Sequence, residues 1–283
     1  MPDLITARKI QGLRQQVRTW RAQGLRIGLV PTMGALHDGH LSLVQLAKSK
    51  ADRVVVSIFV NPTQFAPHED FDAYPRDEAS DIALLATAGC DLVFSPSVEE
   101  MYRPGAATRV EVSGVSEPLD GLARPGHFAG VATVVTKLLN QCAPDVAVFG
   151  EKDFQQLQVI RRLVIDLDLP VEIIGAPIMR AADGLALSSR NAYLSPVEHR
   201  IAPTLNLLLT DSAQRLRSGA SIGEVEARAT EQLIEAGFGR VDYFEVRASD
   251  SLARFAGIKV EGNARLLAAA HLGKTRLIDN IAV

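Results

Sequence analysis

Residues 26–51, RIGLVPTMGALHDGHLSLVQLAKSKA, contain the signals that decide the fold. Residues 27–30 form a short apolar run with the length and composition of a buried parallel strand, and Pro31 ends it. From Leu41 onward the apolar residues recur at helical spacing, and a glycine-containing loop separates them from the apolar run. The stretch therefore predicts a strand, a loop and a helix in that order.

Two histidines mark the point where this predicted helix begins. His37 and His40 are three residues apart, so their imidazoles are expected on one side of the first turn, where both can donate to one anion. The N–H groups of a helix N-terminus have no intrahelical acceptors and the dipole is positive there, which favours phosphate. The spacing His37-Asp38-Gly39-His40 matches the HxGH signature of α/β enzymes that transfer an adenylyl group. The alternative is a pair of surface histidines near a helix cap, but the preceding strand and loop favour a phosphate site.

The composition limits the class of protein. A length of 283 residues, with 47% hydrophobic and 22% charged residues, is typical of a globular protein with one large domain or two of ordinary size. The net charge of −3 gives no general attraction to nucleic acid or to an anionic membrane. No run approaches the length of a membrane span, and residues 1–3 do not resemble the opening of a signal peptide. Cys90 and Cys142 are not in a CxxC arrangement and are expected to be reduced, structural thiols of a cytoplasmic protein.

Strands and helices alternate over the first part of the chain. The apolar patterns predict strands at 27–30, 53–60, 91–95, 108–112, 145–149 and 171–175, and helices at 10–20, 41–47, 77–89, 131–139 and 154–164. This alternation is typical of the α/β class, so residues 1–175 are predicted to form a Rossmann-like, doubly wound parallel sheet. This domain would bind the nucleotide.

The pattern changes after residue 175. Ser195-Pro196 with Glu198 predicts the start of one helix, and a second is expected from Ser221 to near Gly237. Strand-like segments follow at 241–246, 265–272 and 275–281. Two helices followed by antiparallel-looking strands predict a second, smaller α+β domain over residues 176–283.

Polar side chains follow two of the predicted strands at their carboxyl ends. Gln64 follows the strand at 53–60, and Lys152 follows the strand at 145–149. Ligands of open α/β sheets bind at these ends, and a lysine there could hold phosphate as a point charge. Gln64 could equally cap backbone groups of its own loop, and Lys152 could be a solvated residue of an EKD run. The two residues alone leave these alternatives open.

Six stretches match the motifs of one family in order and span nearly the whole chain. They are PTMGALHDGH at 31–40, FVNPTQF at 59–65, RPGHFAGVATVV at 124–135, GEKDFQQL at 150–157, LSSRN at 187–191 and TRLIDN at 275–280. Together they resemble the pantothenate synthetase (pantoate–β-alanine ligase) family of the HxGH nucleotidyltransferase superfamily. The resemblance implies that ATP and pantoate form pantoyl adenylate and pyrophosphate, with Mg²⁺ on the phosphates. The amine of β-alanine then gives pantothenate and AMP. The resemblance also implies a homodimer, a domain at residues 1–175 that binds both the nucleotide and pantoate, and closure of the second domain over the ATP site.

The resemblance also assigns roles to individual residues. His40 takes the proton-donor role, and the catalytic set is completed by His37, Lys152 and Arg190. The ATP site is implied to consist of Met33, Gly34, Ala35, Leu36, His37, Asp38, Gly39, His40, Gly150, Glu151, Lys152, Asp153, Met179, Leu187, Ser188, Ser189 and Arg190. Within this set the LSSRN stretch resembles a degenerate KMSKS loop that contacts the β- and γ-phosphates. The resemblance assigns no residue as a metal ligand.

Two glutamines complete the implied site. Gln64 and Gln156 resemble the amides that bind the hydroxyls and carboxylate of pantoate, and Gln64 also lies where β-alanine arrives. Leu187 stands where the family usually has methionine, a swap of similar volume that should be tolerated. Arg124 and His127 match the family, but the sequence leaves open whether they contact phosphate, pantoate or their own loop.

Three other functions are compatible with an HxGH motif. A nucleotidyltransferase with a phosphorylated acceptor would need more arginine or lysine than a pair of glutamines provides. A tRNA-charging enzyme would need a basic anticodon-binding appendage, and none is evident in the sequence. A non-catalytic nucleotide sensor would not need His40, Lys152 and Arg190 together. The sequence therefore favours small-molecule partners, namely ATP, pantoate and β-alanine.

Overall fold

A computed structural model describes residues 4–66, 69 and 71–283; the opening residues 1–3 lie outside it. The strands are β1 (Ile5–Ala7), β2 (Ile27–Thr32), β3 (Arg53–Ile58), β4 (Leu92–Phe94), β5 (Val146–Gly150), β6 (Glu172–Ala176), β7 (Arg240–Ala248), β8 (Ala264–Leu272) and β9 (Thr275–Ala282). The α-helices are α1 (Ile10–Arg21), α2 (Asp38–Lys48), α3 (Glu78–Ala88), α4 (Val98–Met101), α5 (Asp120–Ala123), α6 (His127–Cys142), α7 (Phe154–Asp166), α8 (Pro196–Ile201), α9 (Thr204–Arg217) and α10 (Ile222–Glu235). Short 3₁₀ turns occupy Pro62–Gln64, Glu151–Asp153 and Ser189–Tyr193.

The predicted central strand lies in the middle of a parallel sheet. Within the described residues, six strands pair in the order β1-β4-β3-β2-β5-β6, and every pairing is parallel. Successive residues of β2 face opposite sides: Leu29 packs in a cluster with α1, α6 and α7, and Val30 packs in one with α2 and α3. Helices therefore cover both faces, and the prediction of a doubly wound parallel sheet is confirmed.

The second sheet is antiparallel and is covered by the last helices. Its order is β7-β8-β9, and side chains of α9 and α10 pack with those of all three strands in one buried cluster. The predicted smaller α+β unit is confirmed, whereas the division of the chain at residue 175 stays a prediction. Ser195 and Glu198 form the predicted capping box at the start of α8, with each side chain accepting a hydrogen bond from the other's backbone N–H.

The prediction of a strand at residues 108–112 is wrong. This segment forms no regular secondary structure and, within the described residues, it has no strand partner. The backbone N–H of Val110 donates instead to Thr133 Oγ1 of α6, at 2.9 Å, and Val110 and Val112 pack against the core. The alternating pattern therefore reflects packing against a helix rather than pairing with a strand.

Two further differences have local causes. β1, only three residues long, was not predicted, because so short a segment gives no periodic signal; it pairs with β4 at the edge of the sheet. Three helices, rather than the two predicted, precede β7 in the described part of the second unit. Pro203 separates α8 from α9 because it lacks the N–H that would donate to the carbonyl of His199.

The two cysteines and the helix lengths add to this description. Cys90 and Cys142 are free and buried, and burial raises the pKa of each thiol to about 12, so neither is a reactive thiolate. None of the helices built from the described residues combines the length and apolar character that a membrane crossing requires.

Candidate active site

The candidate site lies at the carboxyl ends of β2 and β5, where the strand order of the parallel sheet reverses. Open α/β sheets bind their ligands in this crevice. A cavity of about 210 Å³ occupies the position. The predicted site residues that line it are Met33, His37, Gly39, His40, Gln64, Gly150, Lys152, Asp153, Gln156, Met179, Leu187, Ser188, Ser189 and Arg190. Residues from widely separated stretches of the sequence thus meet in one place.

The other predicted ATP-binding residues lie outside the lining of this cavity. They are Gly34, Ala35, Leu36, Asp38 and Glu151. The N–H groups of Ala35 and Leu36 donate to the carboxylate of Asp81, at 3.0 and 2.8 Å, and Asp81 is almost fully buried. These two N–H groups are therefore already satisfied, and the carboxylate fixes the loop that leads into α2. The sequence analysis did not identify Asp81, which belongs to the first turn of α3.

Both imidazoles of the HxGH motif are oriented by backbone groups. His37 is the N-cap of α2, and its Nδ1 accepts a hydrogen bond from Gly39 N at 3.1 Å. His40 Nδ1 accepts one from His37 N at 3.4 Å, and the ring centroids lie 4.2 Å apart. Because Nδ1 accepts in both rings, each neutral imidazole has its proton on Nε2. Glycine is needed at position 39 because a Cβ there would lie 2.8 Å from His37 Cε1.

The electrostatic environment keeps both histidines neutral. Burial, followed by the charges of His37 and Lys152, lowers the pKa of His40 to about 3. Burial, followed by the charge of Lys152, also lowers the pKa of His37. At neutral pH His40 therefore acts as a neutral N–H donor rather than as an imidazolium.

Lys152 provides a half-buried cation beside these rings. It lies in the 3₁₀ turn between β5 and α7 and lines the cavity with Asp153. Within the described part of the chain, neither the ammonium of Lys152 nor the carboxylate of Asp153 forms a hydrogen bond or an ion pair. The charge of Lys152 nevertheless lowers the pKa of both His37 and His40, and all three residues line the same cavity. The cation is thus available to an anionic ligand.

The LSSRN loop of the second unit reaches the first unit at the cavity. Ser189 Oγ donates to the carbonyl oxygen of Ala35 at 3.0 Å, and Ser188 Oγ accepts from Arg190 N at 3.3 Å. The Arg190 guanidinium lies 5.9 Å from the centre of the Tyr74 ring. Met179, predicted near adenine, is 42% exposed at the cavity edge. The loop therefore contacts the glycine-containing loop before α2.

Gln64 is fixed by Asn61, which the sequence analysis did not assign, and by Met33 of the implied ATP site. Asn61 Nδ2 donates to Gln64 Oε1 at 3.1 Å, and Gln64 Nε2 contacts Met33 Sδ at 3.1 Å. Asn61 also donates to the carbonyl of Gly130, at 3.1 Å, which joins the Pro62–Gln64 turn to α6. Gly130 allows this approach because a Cβ there would overlap the carbonyl oxygen of Thr63.

The structure places Arg124 and His127 against their own loop and that of Gln64. Arg124 forms two hydrogen bonds to the carboxylate of Glu69, at 2.6 and 2.8 Å. Although burial opposes it, hydrogen bonding and the charge of Arg124 lower the pKa of Glu69 to about 2. His127 Nδ1 donates to the carbonyl of Gln64 at 2.9 Å, and its Nε2 accepts from Arg124 at 3.0 Å. Arg124 and His127 therefore support the backbone of Gln64, which is predicted to bind pantoate.

Acidification should destabilise the fold through His127. Burial, followed by the charge of Arg124, lowers its pKa from 6.5 to about 4. The unfolded chain therefore binds the proton first, and the free energy of unfolding decreases as pH falls from about 7 towards 4. Linkage puts the loss at roughly 2 kcal/mol between pH 7 and pH 5.

Urea unfolding at pH 7 and pH 5 measures this contribution. The His127→Asn variant has an amide donor for the Gln64 carbonyl but no group that titrates in this range. Its free energy of unfolding should change by about 2 kcal/mol less between the two pH values than that of the parent chain. Identical pH dependences would contradict the prediction.

A second cavity, of about 440 Å³, lies between the two units. It shares Lys152, Asp153, Gln156, Ser188 and Arg190 with the first cavity. Arg276 of β9 donates to Asp120 of α5 at 2.5 Å and to Asp242 of β7 at 2.7 Å, and Tyr243 also donates to Asp120, at 3.0 Å. These partly buried contacts link the antiparallel sheet to the first unit beside the site.

The described residues contain no group of three or more histidine, cysteine, aspartate or glutamate side chains arranged to hold a metal ion. Mg²⁺ usually keeps several waters and binds through one or two carboxylates together with substrate phosphates. The exposed carboxylate of Asp153, next to Lys152 and unpaired among the described residues, fits that mode of binding.

Comparisons with known proteins match this chain to one family over nearly its whole length. The sequence profile of a family described as Pantoate-beta-alanine ligase matches residues 5–282. The chain is 58% identical over 284 residues to the pantothenate synthetase of Caulobacter vibrioides, with 100% of each chain covered. A crystal structure of pantothenate synthetase from Thermus thermophilus superposes with a TM-score of 0.90 at 45% identity, covering 98% of this chain and 99% of that one. A crystal structure of a pantoate–β-alanine ligase from Francisella tularensis, complexed with beta-gamma ATP and β-alanine, superposes with a TM-score of 0.83 at 36% identity. The superposition covers 98% of this chain and 97% of that one.

Proposed function

The chain belongs to the pantoate–β-alanine ligase family, and we propose that it joins pantoate to β-alanine through a pantoyl-adenylate intermediate. The observation that supports this mechanism most strongly is the lining of the 210 Å³ cavity. It combines two N–H donors and a cation, suited to phosphates, with two amides suited to a hydroxy acid. The N–H donors are His37 and His40, and the cation is Lys152. The two amides are Gln64 and Gln156.

In the first step, a carboxylate oxygen of pantoate attacks the α-phosphorus of ATP. An acyl–O–P bond forms as the bond from the α-phosphorus to the bridging oxygen of pyrophosphate breaks, and the negative charge moves to that oxygen. The Nε2–H of His40 and the ammonium of Lys152 would stabilise this charge, a role supported by their shared position in the cavity lining and by the hydrogen bond that occupies His40 Nδ1. The serines of the LSSRN loop and Arg190 would contact the β- and γ-phosphates.

In the second step, the amine of β-alanine attacks the activated carbonyl carbon. The C–N bond forms, the nitrogen loses a proton and AMP leaves with the electron pair of the broken C–O bond. Gln64 would lie beside pantoate and is the proposed neighbour of the incoming amine. Because pyrophosphate left the α-phosphorus in the first step and takes no part in the second, His40 and Lys152 contribute little to this step.

The remaining features are proposed from the resemblance and from single observations. Asp153 would bind Mg²⁺ together with the ATP phosphates, and the ion would neutralise phosphate charge. The free, buried thiols of Cys90 and Cys142 are compatible with the reducing conditions of the cytoplasm. The protein would act there as a homodimer, as the resemblance implies.

An isotope experiment tests the intermediate. Pantoate labelled with ¹⁸O in its carboxylate should transfer one labelled oxygen to AMP, because the acyl C–O bond breaks on the side of the carbonyl carbon. An acyl phosphate formed at the γ-phosphate would instead give ADP and labelled inorganic phosphate. Mass spectrometry of the nucleotide and phosphate products distinguishes the two, and the second result would overturn the mechanism.

The two glutamines should determine affinity for pantoate rather than for ATP. Gln156 has no hydrogen-bond partner for its amide among the described residues, so its donors and acceptor are open to a ligand. Gln64→Ala and Gln156→Ala should each weaken pantoate binding by roughly 1–3 kcal/mol, because substrate hydroxyls or carboxylate lose a partner. Calorimetry with pantoate and with an ATP analogue measures both affinities.

The neighbouring Gln155 provides the control. Its amide donates to the carbonyls of Val115 and Pro118, at 3.0 and 2.7 Å, and it is buried. Gln155→Ala should therefore lower the stability of the fold without a selective effect on pantoate. Equal losses of pantoate and ATP affinity in the Gln64 and Gln156 variants would show that those amides are structural.

A further inference from the structure

A buried amide of the antiparallel sheet contacts the turn that carries the candidate catalytic lysine. Asn280 lies in β9 and is 2% exposed. Its Nδ2 donates to the carbonyl oxygens of Glu151 and Lys152, both at 2.9 Å. A residue near the end of the chain therefore satisfies two consecutive carbonyls of the 3₁₀ turn between β5 and α7.

The orientation of this amide is fixed by Arg265. Asn280 Oδ1 accepts a hydrogen bond from Arg265 Nε at 2.7 Å. The same guanidinium donates to Glu151 Oε2 at 3.0 Å and lies 4.3 Å from the centre of the Phe154 ring. A flipped amide would place Oδ1 against two carbonyl oxygens and Nδ2 against a guanidinium, so only the observed orientation satisfies every group.

The turn receives little other support from side chains. Gly150, the N-cap of the turn, has no side chain, and Asp153, its last residue and the N-cap of α7, makes no capping hydrogen bond through its side chain. Within the described residues the Lys152 ammonium has no hydrogen-bond or ion-pair partner that would fix the side chain from its far end. The placement of its Nζ therefore depends on the backbone of the turn.

We propose that Asn280 is a positioning residue for Lys152. By binding the carbonyls of residues 151 and 152 it sets the direction in which the lysine leaves the backbone, and thus the distance from Nζ to the phosphates of ATP. The inference rests on the role proposed above for Lys152. It gives the antiparallel sheet a part in adenylation that is separate from contact with the nucleotide.

Asn280→Asp is the informative variant. The aspartate has the same shape and still accepts from Arg265, but it replaces the shared donor by an oxygen that faces the two carbonyls. A displacement of the lysine by about 1 Å should slow pantoyl-adenylate formation roughly 10- to 100-fold. Pantoate affinity, and the rate of pantothenate formation from supplied pantoyl adenylate, should stay unchanged.

A double-mutant cycle separates positioning from a general structural role. Adenylation rates are compared for the parent, Asn280→Asp, Lys152→Ala and the double variant. If Asn280 acts through Lys152, the aspartate has no further effect once the lysine is absent. Multiplicative effects of the two changes, or equal slowing of both half-reactions by Asn280→Asp, would overturn the inference. Full adenylation activity of Lys152→Ala alone would instead overturn the role proposed for the lysine, and the inference with it.

Arg265→Lys is the second variant if the aspartate prevents folding. It removes the Nε donor that orients the amide while leaving Asn280 in place, so adenylation should fall by a smaller factor with the same selectivity. Circular dichroism verifies that each variant is folded, and calorimetry with pantoate verifies that its pantoate-binding site is intact. A folded Arg265→Lys variant with parental adenylation kinetics would overturn the inference.

Discussion

Replacement of His40 by alanine should slow pantoyl-adenylate formation roughly 10²–10³-fold, the usual effect of removing one preorganised donor from a developing oxyanion. The Nδ1 atom of this residue accepts from the backbone N–H of His37, so only Nε2 can donate into the cavity. The second half-reaction should be nearly unaffected because its leaving group is AMP. Single-turnover kinetics with ATP and pantoate, and separately with supplied pantoyl adenylate and β-alanine, measure the two rates.

Two amide variants test the chemistry of this donor. His40→Gln can place its amide N–H near the position of Nε2 and should recover part of the lost rate, whereas His40→Asn is too short to do so. Because burial lowers the pKa of His40 to about 3, its contribution should not decline as pH rises through 6.5. Equal slowing of both half-reactions by His40→Ala would mean that the residue shapes the pocket, and the donor role would be wrong.

His37 differs from His40 in a way that the sequence could not show. Three-residue spacing places both rings on one side of the helix, but only the structure shows that His37 is also the N-cap of α2. The loss of such a cap costs about 1 kcal/mol of stability, so His37→Ala should combine a smaller kinetic defect with a lower melting temperature.

The parts of the fold that sequence could predict are those with strong local periodicity. The apolar run at 27–30 and the β-branched run at 53–58 became adjacent buried strands, because such runs are stable only when both faces are covered. The segment at 108–112 has a strand-like alternation but packs on Thr133 and the core instead. Periodicity reports which side of a segment is buried and does not identify the element that buries it.

The candidate site was predictable only where chemistry and motif coincide. His40 stands at the start of α2, Lys152 and Gln64 follow strands, and all three line the cavity with groups of the kind that bind ligands, so their types indicated a function. Asp81 and Asn280 act by satisfying backbone groups far away in the chain, at Ala35–Leu36 and at residues 151–152. No local pattern specifies such partners, since they depend on tertiary structure.

Removal of the Lys152 ammonium should have an effect comparable to that of removing His40. Lys152→Ala should lower the rate of adenylation roughly 10²–10³-fold, because it removes a charge proposed to lie beside the leaving pyrophosphate, at a half-buried position where solvent screens it less than in bulk water. The effect should appear in the maximal rate rather than only in the KM for ATP, since the charge on the leaving oxygen grows in the transition state. Lys152→Arg should retain only part of the adenylation rate that Lys152→Ala loses, because a guanidinium spreads its charge over a larger, planar group.

Lys274 supplies a matched control for this prediction. It is an exposed lysine in the turn between β8 and β9, it lines the larger cavity, and it has no ion-pair partner among the described residues. Lys274→Ala removes the same charge and should leave adenylation within about twofold of the parent, since exposed charges are screened. A titration by nuclear magnetic resonance adds an independent readout: without the Lys152 charge, the pKa of His40 and that of His37 should rise. Unchanged histidine pKa values, or a kinetic loss no larger than that of Lys274→Ala, would place the ammonium away from the reacting phosphates and refute its proposed role.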